Sequence, residues 1–210
     1  MALPKAEKLS AFAFVPVNGE WDEMREASKA CKGCDLWQHA TQTVFGEGEQ
    51  TASAMLIGEQ PGNDEDLAGK PFVGPAGRLL DDALAAAGID RNKAYVTNTV
   101  KHFKFTLRGK RRIHEKPGAV EITACMPWLQ AEIAVVKPKV IVCLGATAGQ
   151  AVIGKSWRVT KDRGVFVPSM LAEHVMGTIH PSAILRAEDQ DREREMQMLI
   201  EDLKLVAPLL

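Results

Sequence analysis

The chain has 210 residues, 46% of them hydrophobic and 25% charged, which suits one well-buried core and leaves little for a second independent domain. Its net charge is -1 and its isoelectric point is near 6.5, so affinity for a polyanion has to come from a local patch. No internal repeat or low-complexity tract is visible, which excludes solenoid and fibrous classes.

The opening residues, MALPKAEKLSAFAFVPVNGEW, hold lysines and scattered apolar residues, with no apolar run ahead of a small-residue cleavage site. No secretion signal is expected. The longest apolar stretch, around VIVCLGATAGQAVIG, is broken by glycines and a glutamine, short of the roughly 18 residues that span a bilayer. The expectation is a cytoplasmic protein without membrane contact, monomeric by default. Residues 1–18 read as an N-terminal extension and 19–210 as the single domain.

Along the chain, four short apolar runs end in glycine or polar residues: Ala54 to Gly58, Ala94 to Asn98, Val140 to Gly145 and His174 to Thr178. Helical patterns separate them, at Ala76 to Ala87, Val120 to Val136 and Thr147 to Ile153, with an acidic helix over about Asp189 to Val206. This alternation predicts a three-layer αβα sandwich around a four-stranded, mainly parallel sheet. Right-handed crossovers then bring the strand C-termini to one edge, where such sheets bind ligands. From His102 to Pro117 the pattern predicts a long, irregular, charged loop.

Four cysteines, Cys31, Cys34, Cys125 and Cys143, include a Cys-Lys-Gly-Cys pair. In a reducing compartment this set reads as a metal framework rather than two disulfides. Thiolates suit both zinc and an iron-sulfur cluster, so the spacing leaves the metal open. Cys143 stands in an apolar strand, where a cysteine also serves as plain core.

The unusual residues collect at the predicted ligand edge. The loop from Gly58 to Gly77 is rich in glycine and proline, so its backbone can approach a ligand closely; it meets neither the Walker nor the dinucleotide spacing. It carries Glu59 and Gln60, and Phe72, which is either ordinary packing or a ring on which a base stacks. Asn98 ends a strand, either as a turn former or as an amide that offers donor and acceptor together. Lys101 follows on the same edge, and His180 and Ser182 follow the last strand. Between Lys101 and Lys116 stand Lys104, Arg108, Lys110, Arg111 and Arg112, with Glu115 the one acid. This basic loop can hold phosphates, and its cations favour a neutral His114. A neutral imidazole oriented by Glu59 is a nucleophile.

The motifs GEQPG, PFVGPAGRLL, TNTVKHFKF, KRRIH and HPSAILR, in this order and with four spaced cysteines, resemble the uracil-DNA glycosylase superfamily. Within it they look most like the UdgX type, a relative of the iron-sulfur (family 4) glycosylases. The resemblance runs from about Cys31 to the C-terminus. It implies a [4Fe-4S] cluster on Cys31, Cys34, Cys125 and Cys143. It places Gly58, Glu59 and Gln60 beside a flipped nucleotide, Phe72 stacked on uracil, Asn98 reading its edge, and His180 with Ser182 on the base and the DNA backbone. Lys101 and Arg112 are expected to touch substrate. His114 is expected to join covalently to the deoxyribose, so that one turnover consumes the enzyme. The partner implied is uracil-containing DNA, single-stranded first and double-stranded also open, with free uracil as product. Two rival readings stand beside this one: a conventional multi-turnover iron-sulfur glycosylase without an adduct, and a non-enzymatic iron-sulfur DNA-binding module.

Overall fold

The computed structural model describes residues 9–210; residues 1–8 of the expected extension lie outside the described residues. In the rest of that extension, Ser10 accepts a hydrogen bond from the Phe12 N–H at 3.1 Å and starts a 3-10 turn over Ala11–Phe14. Ala11 is buried in the same core cluster as Cys31 and Cys34.

In chain order the elements are α1 (Trp21–Ser28), β1 (Ala54–Gly58), α2 (Asn63–Ala68), α3 (Pro75–Ala86), β2 (Ala94–Asn98), β3 (Phe105–Arg108) and β4 (Arg111–His114). They continue with α4 (Ala119–Val136), β5 (Val140–Leu144), α5 (Gly145–Val152), α6 (Val159–Asp162), β6 (His174–Thr178), α7 (Pro181–Arg186) and α8 (Asp189–Lys204). Four strands form one sheet in the order β2-β1-β5-β6, every neighbouring pair parallel. Both faces of this sheet are covered, which explains why its strands are continuous apolar runs rather than alternating ones. On one face Met55, Ile57, Tyr95, Ile141, Cys143 and Val175 pack with Trp128 and Leu129 of α4. On the other, Leu56, Val96, Val142 and Met176 pack with Leu80 and Leu84 of α3 and with Leu199 and Leu203 of α8. The architecture is the three-layer αβα sandwich that the pattern predicts.

Two sequence expectations need correction. The stretch from His102 to Pro117 is not irregular: β3 and β4 pair antiparallel, with Phe105 opposite His114 and Arg108 opposite Arg111. β3 (Phe-Thr-Leu-Arg) alternates over only four residues and β4 (Arg-Arg-Ile-His) does not alternate, which is too little for the period-2 pattern by which a strand is recognised. In addition α4, over Ala119–Val136, has a mean hydropathy of 1.3 and is long and apolar enough to cross a membrane by length and composition. Here it is a core helix: Ala124, Cys125, Trp128, Leu129, Ile133 and Val136 are buried, and so is the charged Glu132.

Lys101 also departs from expectation. Its side chain turns away from the ligand edge into the core, 1% exposed, and pairs with the fully buried Glu132 at 2.5 Å. The ammonium donates as well to Thr97 Oγ1 at 2.6 Å and to the Asn98 carbonyl at 2.8 Å. Glu132 accepts from the Gly46 N–H at 2.8 Å, Tyr95 Oη at 3.1 Å and Thr97 Oγ1 at 2.9 Å. Trp21 Nε1 completes the set by donating to Tyr95 Oη at 3.0 Å. A buried ammonium needs this company, because an isolated charge in the interior is prohibitive. A DNA phosphate has no access to it.

Lys101→Met leaves Glu132 charged and unpaired and should destabilise the protein by about 3–5 kcal/mol in urea unfolding. The double variant Lys101→Met/Glu132→Gln removes both charges and keeps an acceptor for the Gly46 N–H, Tyr95 and Thr97; it should recover part of that loss, and a double variant no more stable than the single one would refute the pairing.

Candidate active site

The C-terminal ends of the four strands open into a cleft of about 740 Å³. Its floor is set by Gly58, the last residue of β1, which lies in register with Asn98, the last residue of β2. A Cβ on Gly58 would stand 2.4 Å from Asn98 Oδ1, 2.8 Å from the Phe72 ring and 3.4 Å from His180 Nε2. The side chains of Asn98, Phe72 and His180 thus converge over a residue that leaves no room for a Cβ. Phe72 holds a left-handed φ of 56°, a conformation that costs energy in a non-glycine residue. Its ring lies within 24° of parallel to the His180 imidazole, with centroids 6.2 Å apart.

His180 precedes α7, and its Nδ1 accepts the Ser182 N–H at 3.0 Å. That bond leaves Nδ1 without a proton, so the neutral ring carries its proton on Nε2, the atom facing the cleft. Burial pushes the His180 pKa down to about 4, helped by the charges of Arg186 and His114. Near neutral pH, His180 is therefore a neutral N–H donor. Ser182 lines the cleft too, and its Oγ accepts from Arg186 at 3.2 Å.

The opposite wall is the β3–β4 hairpin. His114, the last residue of β4, is half-exposed at 49%, with Nε2 3.5 Å from Glu59 Oε1. The Gln60 amide nitrogen lies 3.0 Å from the same Nε2. Gln60 also donates to the Lys104 carbonyl at 3.2 Å and the Glu115 carbonyl at 3.0 Å, while its Oε1 accepts from the Lys104 N–H at 3.1 Å. One carboxamide thereby ties both ends of the hairpin to the loop after β1. Burial lowers the His114 pKa, Glu59 opposes that shift, and Arg186 adds to it.

Arg112 does not reach the cleft. Its guanidinium pairs with the buried Asp66 at 2.5 Å, donates to Asn63 Oδ1 at 2.8 Å, and lies over the Phe105 ring at 5.1 Å. It anchors the hairpin to α2, which leaves Arg108, Lys110 and Arg111 as the exposed cations at the tip. The structure therefore gathers Gly58, Glu59, Gln60, Phe72, Asn98, His114, His180 and Ser182 around one cleft, and places the side chains of Lys101 and Arg112 elsewhere.

A family profile for the uracil DNA glycosylase superfamily matches residues 45–204. The chain belongs to this superfamily. It is 36% identical over 180 residues to the type-4 uracil-DNA glycosylase of Thermotoga maritima, covering 85% of this chain and 88% of that protein. The type-4 uracil-DNA glycosylase of Sulfurisphaera tokodaii is 36% identical over 172 residues, 78% of this chain and 75% of the relative. That of Pyrobaculum aerophilum is 33% identical over 171 residues, 78% of this chain and 84% of the relative.

Two residues in this superfamily member's cleft escaped the sequence reading. Glu65 of α2 accepts the Gly62 N–H at 3.0 Å and the Gly74 N–H at 2.8 Å, so it closes the glycine-rich loop on itself. Nothing in an ordinary helix acid announces such a role. Thr147, in the first turn of α5, donates its hydroxyl to Glu59 Oε2. A buried polar residue directly after β5, at the ligand edge, was a usable signal.

The cysteines lie on the α4 side of the sheet. All four are free and buried in one core cluster. Cys31 Sγ accepts the Trp128 indole N–H at 3.2 Å, and Cys125 Sγ accepts the Lys101 backbone N–H at 3.2 Å. Burial raises the thiols of Cys34 and Cys143 and pushes Cys125 up to about 12, so they bear protons until a cation replaces them. Among the described residues, no three His, Cys, Asp or Glu side chains converge as a single metal ion requires.

Gln60→Ala removes the bonds that close the hairpin base. Amide exchange in β3 and β4 should quicken at least about tenfold with the central sheet unchanged. Exchange measured by mass spectrometry would show it, and an unaltered hairpin would mean that Gln60 does not hold it.

Proposed function

We propose that this protein is a uracil-DNA glycosylase that cleaves the N-glycosidic bond of uracil in DNA and then captures the sugar at C1′ through His114. The observation that carries the reading is the arrangement of the cleft: base-reading groups Phe72, Asn98 and His180 converge over Gly58, and His114 Nε2 faces them beside Glu59 and Gln60.

A base in a stack has to be flipped out to enter such a cleft, which costs least in single strands. The exposed hairpin tip supplies the grip: Arg108 and Arg111 lie directly opposite each other, a like-charge pair that an intervening phosphate relieves. Phe72 offers a face for the pyrimidine. The Asn98 carboxamide accepts from N3–H of uracil and donates to O4, a pattern that cytosine inverts. The Nε2–H of neutral His180 suits O2, where charge grows as the bond breaks.

In the proposed reaction the C1′–N1 bond breaks with its electron pair moving to uracil, which leaves as the anion and takes a proton from solvent. The Nε2 lone pair of neutral His114 forms the bond to C1′. The resulting imidazolium sheds its Nδ1 proton to solvent, and the Glu59 carboxylate stabilises the positive charge meanwhile. An alkyl imidazole at C1′ is a poor leaving group, so each molecule turns over once.

The four thiols fit an iron-sulfur cluster. They share one desolvated core region, and two accept N–H bonds of the kind that support cluster thiolates. Cys31, Cys34, Cys125 and Cys143 would hold a [4Fe-4S] cluster that crosslinks the N-terminal segment, α4 and β5. Its contribution is structural.

The test is incubation with a uracil-containing single-stranded oligonucleotide followed by a denaturing gel. A heat-stable shifted band, absent with thymine and lost in His114→Ser, is expected. Alkali-labile abasic sites without a shift would remove His114 as nucleophile and leave a conventional multi-turnover glycosylase, a reading favoured by the half-exposure of His114, which admits water. Neither product would favour a DNA-binding module.

The adduct rate should follow the neutral form of His114. Burial sets its pKa below the ordinary 6.5, so the rate should rise with pH through a midpoint under that value and stay level from neutral pH upward. Single-turnover rates across pH 4–8 check this, and a midpoint above 7 would contradict the neutral nucleophile.

A further inference from the structure

We propose that Thr147 is a positioning residue that fixes the Glu59 carboxylate toward His114 and thereby sets the partition between covalent capture and hydrolysis. The proposal rests on the reading of His114 as the group that takes C1′.

Glu59 follows β1 directly and is about one-fifth exposed, 22% at its side chain. A carboxylate on a loop turns freely about its last bonds, and either oxygen can face either neighbour. Here the two oxygens are differentiated. Oε2 accepts the Thr147 hydroxyl, and Oε1 is the atom 3.5 Å from His114 Nε2. Thr147 is itself immobilised, 4% exposed in the first turn of α5. Threonine in that position ordinarily bonds its own helix backbone, but its hydroxyl is spent on Glu59 instead. The helix start also favours a nearby anion through its aligned dipoles.

The same turn carries the other wall of the cleft. Gly145, which opens α5 at a φ of 86°, lies where a Cβ would stand 2.9 Å from the His180 Cβ. The backbone there has to be left-handed and bare for His180 and α5 to sit together. Thr147 is therefore held in fixed relation to the group that meets the base, and it sets where the Glu59 carboxylate stands to meet the positive charge that develops on His114 as Nε2 attacks. The hairpin is otherwise tethered by Gln60, by Arg112 and by the Phe103 ring against Phe105 and His114.

Two acceptors compete for C1′ once the glycosidic bond has broken. Attack by His114 Nε2 gives the adduct. Attack by water gives a free abasic site, with the water proton passing to Glu59 or to solvent. Fixing Oε1 on the imidazole favours the first. A carboxylate released from Thr147 can turn toward the open cleft and order a water.

The experiment compares wild type, Thr147→Val and Thr147→Ser in single turnover on a uracil-containing single-stranded oligonucleotide, scoring adduct, abasic product and released uracil in each sample. Thr147→Val keeps the shape and loses the hydroxyl; its ratio of adduct to abasic product should fall about tenfold, since small misplacements of reacting groups cost that much or more. Thr147→Ser should stay within about twofold of wild type, as it keeps the donor. In the Glu59→Ala background, adding Thr147→Val should change the ratio by less than about twofold, because a residue that acts through Glu59 has nothing left to act on. An unchanged ratio in Thr147→Val, or a full tenfold effect in the Glu59→Ala background, would overturn the proposal, whereas a general loss of fold lowers both products together and fails the serine rescue.

If wild type releases uracil and yields no adduct, the covalent reading fails separately. The role of Thr147 then stands only if Thr147→Val slows uracil release about tenfold and Thr147→Ser does not.

Discussion

The buried ion pair between Lys101 and Glu132 is the interaction around which this molecule is arranged. Neither charge tolerates the interior alone, so each had to be surrounded by partners, and those partners come from everywhere. Thr97 and the Asn98 carbonyl belong to β2, Gly46 to the segment along the sheet edge, and Tyr95 passes the network on to Trp21 of α1. Lys101 also gives its backbone N–H to Cys125. One residue thus joins the carbonyl of the proposed base-reading asparagine to a thiol of the cysteine set. Asn98 and the cysteine region are thereby attached to the same buried lysine.

The cleft shows the opposite economy, in which little is buried and much is hung from single groups. The hairpin bearing His114 contributes no strand to the main sheet. It is held by the Gln60 carboxamide at its base and by the Arg112–Asp66 pair on its flank. Such an appendage is easily displaced, which suits an element that has to admit a nucleotide and then close on it. Glu59, held by Thr147, gives His114 a carboxylate fixed at the rigid sheet edge.

Much of the scaffold was legible before any coordinates. The runs AMLIG, AYVTN, VIVCLG and HVMGT each end in glycine or a polar residue, and sheets covered on both faces demand such uninterrupted apolar stretches. The hairpin was not legible, because Phe105 to His114 alternates too briefly to read as strands and is ordered by anchors outside itself. Lys101 was misplaced for a related reason: a lysine at a strand end reads as solvent-facing unless its partner is known, and Glu132 looks like any helix acid.

The sequence by itself determined the αβα layering, the edge at which the chemistry collects, and the identities of Glu59, Phe72, Asn98, His114 and His180 as the residues worth asking about. Those follow from local apolar periodicity and from residue types that need no partner to be noticed. Only the tertiary structure decided which polar groups are paired with one another. The partners Lys101 and Glu132 stand 31 residues apart, Arg112 and Asp66 46, and Thr147 and Glu59 88. No local pattern encodes a hydrogen bond across such distances, since it exists only once hydrophobic packing has brought two strands and a helix start to the same edge.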